Sequence, residues 1–179
     1  ESISTQDLSL LNNNEGAESF VTAVYAKYLD WNMSSFAWIG ITSIISDEAD
    51  KGSSPGDSGT DKDLLDALNI TATTPSFRDF WNAGYQAINR ANQAIEIIPQ
   101  LDQADAALRD RLIAEAKFLR AFTYFTLVRG FGGVPLVDHI PSPSSEEDQN
   151  MLLTRVSAEE IYAFINKDLE EAAAALPLK

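Results

Sequence analysis

Flat aromatic rings beside amide and carboxylate groups are the side chains of this sequence best suited to hold a small molecule. Trp31 is followed at once by Asn32 near the predicted end of a helix, and Asp50, Asn69 and Arg78 lie in or beside the loop-rich stretch that comes next. Sugar rings bind to such groups by stacking and by hydroxyl hydrogen bonds. The pattern predicts a sugar-binding surface near residues 30–34 and 48–78 with these side chains as contacts. Packing of Trp31 into the core is the alternative.

The acidic side chains of the loop allow two further interpretations. Asp47, Asp50, Asp57 and Asp61 can supply oxygen ligands to a calcium ion, although their spacing departs from the EF-hand pattern. Asp50 and Asp61 can also be considered as the carboxylate pair of a glycosidase, a reaction that needs a fixed separation between the two groups. A solvated acidic loop is favoured over both, with calcium as a weak alternative and a hydrolase as a rival function.

Nucleophilic and metal-based chemistry is not indicated elsewhere. Ser54 stands in a G-x-S-x-G pattern, but no strand precedes it and no helix follows directly, so a flexible loop is favoured over a nucleophile elbow. His139 is the only histidine, and no zinc-ligand spacing such as H-x-x-x-H is present. The sequence contains no cysteine. We therefore predict no catalytic residue and no cofactor.

Charge and hydropathy exclude other classes of partner. The net charge is −14, from 27 acidic and 13 basic residues, which disfavours nucleic acid and anionic lipid surfaces. The most apolar run, residues 36–45, is only ten residues long and too short to cross a bilayer. A globular, largely apolar core is expected instead, because 45% of the residues are hydrophobic.

The elements that position these residues read as helices throughout. Apolar periodicity predicts helices over residues 15–30, 35–47, 77–98, about 104–130 and 157–176, with Ser76 capping the third and a Ser157–Glu160 capping box starting the last. Residues 1–14 are expected to form an extended arm. An acidic Gly/Ser-rich loop region is expected at 48–75 and a linker at 134–152. The predicted fold class is all-α, a tetratricopeptide-like α–α superhelix stack.

The segment 114–137 is predicted to be the central helix. Phe118, Phe122 and Phe125 form one apolar stripe, and a second stripe lies on another face, so both sides are expected to be buried. Gly130 is the expected left-handed C-cap. Asn92 falls within an apolar stripe of the preceding helix and is predicted to be a buried amide. Other predicted buried faces comprise Phe20, Val21, Val24, Tyr25, Tyr28, Leu29, Tyr124, Val128, Phe131, Ile161, Phe164, Ile165, Leu169 and Ala172.

Four segments carry motifs of a known family. They are LDWNMSSFAWIGITSIISDEADKG at 29–52, WNAGYQAINRANQAIEIIP at 81–99, AEAKFLRAFTYFTLVRGFGGVPLV at 114–137 and TRVSAEEIYAFINKDLEEAAAALP at 154–177. Together they resemble the successive signatures of the SusD/RagB family. The resemblance extends over residues 15–177, and the 114–137 motif is its most specific part. It implies that Trp81, Asn92, Arg120 and Gly132 are scaffold residues.

The resemblance also implies a function. Such proteins are non-catalytic surface lipoproteins of the outer membrane in Bacteroidetes-type bacteria, with the lipid anchor upstream of the present sequence. They capture glycans and pair with a SusC-like TonB-dependent transporter. Residues 1–179 would then be an N-terminal helical domain from a longer chain. A helical-repeat adaptor that binds a peptide or protein is the alternative function.

Overall fold

The computed structural model describes residues 5–54, 57 and 60–177. Helices account for most of these residues and none of them lies in a β-strand, so the all-α prediction is confirmed. A π-helical turn spans Gly40–Ile44, and a 3-10 turn spans Ile98–Gln100. The α-helices are α1 (Thr5–Leu11), α2 (Asn14–Tyr28), α3 (Trp31–Ser34), α4 (Phe36–Ile39), α5 (Thr60–Asp66), α6 (Pro75–Ile97), α7 (Ala106–Phe131), α8 (Glu146–Leu153) and α9 (Ala158–Ala175).

The chain forms two compact units. The first consists of Glu1–Tyr25 and Gln86–Lys179, and the second of Ala26–Tyr85. In the first unit, α7 packs along α9. The Tyr124 ring of α7 meets the Phe164 ring of α9 edge-on, with centroids 5.5 Å apart, and Leu127 and Ile161 are fully buried beside them. The Tyr124 face of α7, one of the two sides predicted to be buried, is therefore packed against α9.

One of the two apolar stripes of α7 is not buried. Phe118, Phe122 and Phe125 are 46%, 46% and 38% exposed, so the prediction that this stripe is packed is wrong for the chain described here. Tyr124 and Val128, on the other stripe, are buried as predicted. Both stripes are equally apolar in sequence, but only one of them faces α9. Apolar character alone does not decide which face of a helix receives a partner.

The other helices show the same kind of correction. Tyr25 of α2 is 46% exposed, and Leu29 lies beyond the end of α2 and is 86% exposed. Leu169 of α9 is 37% exposed, whereas its neighbour Asp168 is buried. Phe20, Val21, Val24, Ile161, Ile165 and Ala172 are buried as predicted.

A polar network explains why Asp168 is buried. The Arg120 guanidinium donates from Nε and Nη2 to the two carboxylate oxygens of Asp168, at 2.8 and 2.9 Å. Its Nη1 donates to Oδ1 of Asn92 at 2.7 Å. The Asn92 amide nitrogen in turn donates to the carbonyls of Val137 and His139, at 3.0 and 2.9 Å. Asn92 is thus buried as predicted, and the network fastens the irregular segment after α7 to helices α6, α7 and α9.

Both ends of α7 have local causes. Asp105 caps the N-terminus, where its carboxylate accepts a hydrogen bond from the backbone N–H of Leu108 at 3.0 Å. The helix continues through Gly130 to Phe131, and the residue with positive φ (+70°) is Gly132. The prediction of Gly130 as the C-cap is therefore wrong by two positions. Gly132 can adopt this left-handed backbone because it has no Cβ.

Several element boundaries differ from the sequence prediction. Residues 5–11 form α1 rather than an extended arm, and α5 and α8 lie inside regions predicted to be loop and linker. Ser76 is not an N-cap, because α6 already begins at Pro75, a residue suited to a first helical turn. The capping box of α9 is confirmed: Ser157 Oγ accepts from the Glu160 N–H, and the Glu160 carboxylate accepts from the Ser157 N–H.

In the second unit the predicted helix at 35–47 is shorter than expected, since α4 begins at Phe36 and the π-helical turn after it ends at Ile44. Ser35 has φ −132° and ψ −98°, which separates the single-turn helix α3 from α4. A π-helical turn follows α4 directly. Leu65 of α5 and Phe80 of α6 provide the core of this unit, and the Trp38 and Phe80 rings lie 5.2 Å apart.

Candidate functional site

The second unit contains a pocket of about 370 Å³ beside α3, α4 and the π-helical turn. Its lining combines two exposed aromatic rings, two isoleucines, two lysines and several small oxygen-bearing side chains. The mixture of an apolar wall with a few polar groups is typical of small-molecule sites. The lining residues are Trp31, Ser35, Phe36, Ile39, Ile44, Lys51, Ser53, Asp57 and Lys62.

The aromatic wall of the pocket depends on the helix break. Trp31 and Phe36 are five positions apart, so on a continuous helix they would point about 140° away from each other. The irregular backbone at Ser35 restarts the helix in a new direction. As a result the two rings are stacked, with centroids 5.5 Å apart and planes inclined by 19°. Trp31 is 63% exposed and Phe36 is 38% exposed, so both rings present apolar surface to solvent.

Asp30 holds the tryptophan end of this wall. One carboxylate oxygen of Asp30 accepts from the backbone N–H of Asn32 at 3.0 Å, which caps α3. The other accepts from the Lys27 ammonium at 2.8 Å. A helix as short as α3 has few hydrogen bonds of its own, so a cap contributes a large part of its stability.

Gly40 permits α5 to approach the π-helical turn. A Cβ at this position would lie 2.8 Å from the Leu65 Cδ1 and 3.1 Å from the Lys62 Nζ. Ile39 precedes the turn, Ile44 is its last residue, and both line the pocket. The close approach thus delivers Lys62 to the pocket wall.

The Lys62 ammonium is enclosed by three partners. It lies 3.7 Å from the centroid of the Phe36 ring, donates to the Asp61 carboxylate at 3.1 Å and donates to Ser76 Oγ. The Ser76 hydroxyl donates in turn to Asp61. Burial by itself would raise the pKa of Asp61, but the hydrogen bonds from Ser76 and Lys62 outweigh it and lower the pKa. Asp61 is therefore ionised around neutral pH.

Lys51 is held by a second group of carboxylates. Its ammonium donates to Asp63 at 2.6 Å and lies 2.9 Å from Asp57, while only 7% of its side chain is exposed. The hydrogen bonds to Asp63 and then Asp57 raise the pKa of Lys51. The positive charge of Lys51 at the pocket wall is therefore neutralised by Asp57 and Asp63.

The structure brings one of the predicted contact residues into this pocket. Trp31 lines it, whereas Asn32 and Asp50 are near it in sequence but are not among the lining residues. Asn69 is exposed, and its backbone N–H closes the turn after α5 by donating to the Leu64 carbonyl at 2.8 Å.

Arg78 is likewise not part of the pocket. Its exposed guanidinium pairs with the adjacent Asp79 at 2.8 Å, and this hydrogen bond raises the pKa of Arg78.

The sequence analysis did not predict three residues that line the pocket, Phe36, Lys51 and Lys62. The aromatic spacing in WNMSSF was visible and a helix start at Ser35 was predicted, but the single-turn helix α3 that carries Trp31 was not.

The calcium alternative finds no support in the described part of the chain. Asp57 is paired with Lys51, and Asp61 is paired with Lys62. Asp47 and Asp50 are exposed. Within residues 5–54, 57 and 60–177, no group of three or more histidine, aspartate or glutamate side chains is arranged to hold a metal ion.

Ser54 and His139, the other two residues considered for chemistry, both lie outside the pocket lining. Ser54 lies in an irregular stretch with neither helix nor strand, as expected for a loop. His139 is 44% exposed at its side chain, with Nδ1 2.8 Å from Asp138 and Nε2 3.1 Å from Asp148. These two carboxylates, Asp138 first, raise the pKa of His139. The arrangement links the segment after α7 to α8.

Comparison with known proteins identifies the family. Residues 15–179 match the model of the SusD-like family that is described as starch-binding and associating with the outer membrane. The chain belongs to the SusD-like family. SusD-like protein P38 of Formosa agariphila is 36% identical over 112 residues, which cover 62% of this chain and 21% of that protein. SusD-like protein P2 of the same organism is 34% identical over 124 residues, covering 68% and 24%.

Solved SusD-like structures share the fold. A laminarin-binding SusD-like protein is 30% identical with a TM-score of 0.74, and the match covers 92% of this chain and 34% of that one. A SusD superfamily protein from Bacteroides vulgatus has a TM-score of 0.77 at 20% identity, covering 93% and 35%. The tetratricopeptide-like helical fold class is thereby confirmed. The chain spans 21% to 29% of the length of the curated relatives it matches.

None of the helices in the described part of this SusD-like chain has the length and hydropathy that a membrane span requires.

Proposed function

We propose that this SusD-like chain belongs to a non-catalytic protein that binds a glycan, and that a sugar ring stacks on Trp31 in the pocket of the second unit. The observation that carries the proposal is the stacked, solvent-exposed pair of Trp31 and Phe36 at a pocket wall. An exposed tryptophan face packs well against the C–H groups of a sugar ring. The laminarin-binding relative supports this class of ligand.

The polar part of the pocket suits the hydroxyl groups of a sugar. Ser35, Ser53 and Asp57 line the pocket and offer hydroxyl and carboxylate oxygens at its edge. A volume of about 370 Å³ is at the lower end of the range for small-molecule sites, which favours one or two sugar rings over a longer oligosaccharide. Asn32, Asp50, Asn69 and Arg78 remain predicted contacts for a longer glycan.

The carboxylates around the pocket do not favour glycosidase chemistry. A general acid at neutral pH needs a raised pKa, whereas the pKa of Asp61 is lowered by Ser76 and Lys62. Asp57 is engaged with Lys51. These ion pairs support a binding role over a hydrolytic one.

The wider role follows from the family. We propose that the protein is a lipoprotein on the cell surface, anchored by a lipid upstream of this sequence. It hands its glycan to a SusC-like TonB-dependent transporter. The family description as associating with the outer membrane supports this placement. Co-purification of a transporter after mild detergent extraction tests the partnership.

Affinity electrophoresis through laminarin and starch gels tests the glycan-binding proposal. We expect Trp31→Ala to weaken binding about tenfold, equivalent to about 1.4 kcal/mol. Tyr162→Ala removes another exposed aromatic ring, on α9, and serves as the control. Equal affinities of the wild type and the Trp31 variant would contradict the proposed site, provided that the circular dichroism spectra agree.

The peptide-binding alternative is supported by a different surface. Phe118, Phe122 and Phe125 form a partly exposed apolar stripe on α7, the kind of surface on which an amphipathic helix can lie. Under this alternative, Phe118→Ser lowers binding to a peptide library and leaves glycan retardation unchanged. The glycan proposal predicts instead that Trp31→Ala reduces glycan retardation and that Phe118→Ser leaves it unchanged.

A further inference from the structure

We infer that the Trp31 pocket selects uncharged sugars and rejects acidic ones, because both lysines in its wall are already neutralised by aspartates of the same unit. This inference rests on the proposed glycan binding and names the substrate class of that site. Two lysines beside an aromatic wall would at first suggest a site for uronic acids or sulfated sugars. The contacts of each lysine argue against that suggestion.

Lys62 has no donor to offer an acidic ligand. An ammonium group carries three N–H donors. The Asp61 carboxylate, Ser76 Oγ and the face of the Phe36 ring are three partners for them. The side chain of Lys62 is 5% exposed, so a ligand carboxylate cannot reach the ammonium without displacing one of these groups.

The positive charge of Lys51 is neutralised by two aspartates. Asp63 and Asp57 lie 2.6 and 2.9 Å from its ammonium, and the lysine side chain is 7% exposed whereas the aspartates are 46% and 37% exposed. A ligand approaching from solvent therefore meets carboxylate oxygens before it meets the ammonium. A neutral hydroxyl can donate to such an oxygen, but an anionic group is repelled by it.

The balance of charge points in the same direction. Asp57, Asp61 and Asp63 outnumber Lys51 and Lys62 among these paired groups, so together they carry a negative charge. The net charge of the whole chain is −14. A polyanionic glycan is repelled at long range as well as in the pocket, with a strength that falls as salt is added.

The test compares neutral and acidic polymers at two salt concentrations. Purified protein is titrated with laminarin, starch and mannan as neutral polymers, and with polygalacturonate, alginate and carrageenan as acidic ones. We expect binding only to a neutral polymer, with an affinity that changes less than about twofold between 20 and 300 mM salt, since an uncharged ligand has no ionic partner to screen.

Removing the carboxylate charges beside Lys51 should allow the pocket to bind acidic sugars. The double variant Asp57→Asn/Asp63→Asn keeps the side-chain shapes and removes the two charges next to the lysine. We expect it to gain at least tenfold in affinity for polygalacturonate at low salt, and to lose that gain at high salt. The control Asp47→Asn/Asp66→Asn removes the same number of charges from exposed positions that do not line the pocket.

Three outcomes contradict the inference. Wild-type binding to an acidic polymer that is abolished by Lys51→Met would overturn it while leaving glycan binding intact. An equal gain in the control double variant would show that total charge, rather than the covering of Lys51, sets selectivity. Absence of binding to every polymer in the panel would refute the proposed function and the inference together.

Discussion

The guanidinium of Arg120 and the carboxylate of Asp168 form a two-point ion pair between α7 and α9, with both hydrogen bonds between 2.8 and 2.9 Å. The two side chains are 5% and 2% exposed. The third arm of Arg120 reaches Asn92 and the Asp138 carbonyl, at 2.7 and 2.8 Å. The pair thus fixes the spacing of the helices and also the path of the chain after α7.

Asp168→Ala should therefore be among the most destabilising substitutions. It leaves the buried Arg120 without its counter-charge, and removal of one partner from a buried pair costs about 3–5 kcal/mol. Urea denaturation gives the change in the free energy of unfolding. Asp110→Ala, at an exposed position of the same helix α7, is the control and should cost less than about 0.5 kcal/mol. Comparable losses of unfolding free energy in the two variants would show that the Arg120–Asp168 pair does not stabilise the packing of α7 on α9.

The two faces of α7 predict unequal costs of truncation. Leu127→Ala should cost about 2–5 kcal/mol, because Leu127 is fully buried and leaves a cavity. Phe122→Ala should cost only about 1–2 kcal/mol, because the ring is 46% exposed. Thermal or urea unfolding of both variants in one buffer makes the comparison. A larger loss for Phe122 than for Leu127 would mean that the phenylalanine stripe is the buried one.

The capping box of α9 gives a local prediction. Ser157→Ala removes the hydroxyl that accepts the Glu160 N–H at 3.2 Å and should cost about 1 kcal/mol. Ser157→Thr retains the capping hydroxyl, both as an acceptor from the Glu160 N–H and as a donor to the Glu160 carboxylate, and should lose little stability. Amide hydrogen exchange in the first turn of α9 provides the measurement. Unchanged protection in the alanine variant would rule out a capping role.

His139 predicts a pH dependence of stability above neutral pH. Asp138 and then Asp148 raise its pKa above the ordinary value of 6.5. The protonated histidine is thus favoured in the folded state, and its contribution is complete below about pH 6.5 and is lost as the pH rises through the raised pKa. Urea midpoints of the wild type should fall over this window.

The variant His139→Gln isolates this effect. It keeps hydrogen-bonding capacity but does not titrate, so its urea midpoint should stay level between pH 6 and 8 while that of the wild type declines. Parallel curves for the two proteins would contradict the assigned role. The Asp148 carboxylate responds in a different window, since the Ser142 N–H and His139 lower its pKa below 3.8. Its contribution is lost only in acid.

Much of the candidate site was beyond sequence reasoning. Trp31 could be predicted from the sequence because a flat aromatic ring with an adjacent amide, Asn32, is the kind of group on which a sugar ring stacks. Phe36 and Trp31 lie five positions apart, a spacing that no regular helix brings together, and their contact depends on the backbone at Ser35. The lysine–aspartate pairs join residues up to twelve positions apart across a loop, so charge patterning along the chain did not reveal them.

What the amino-acid sequence determined by itself is the helical class, most of the longer helices and the capping box that starts α9. The Ser157–Glu160 capping box and the apolar periodicity of α6 and α7 each involve residues only a few positions apart. Interactions between such close neighbours can be predicted from the sequence alone. The tertiary structure decided which apolar stripe of α7 is covered and why Asp168 is buried in place of Leu169. Those outcomes depend on the position of a partner helix, because burial is a property of two surfaces in contact and not of either alone.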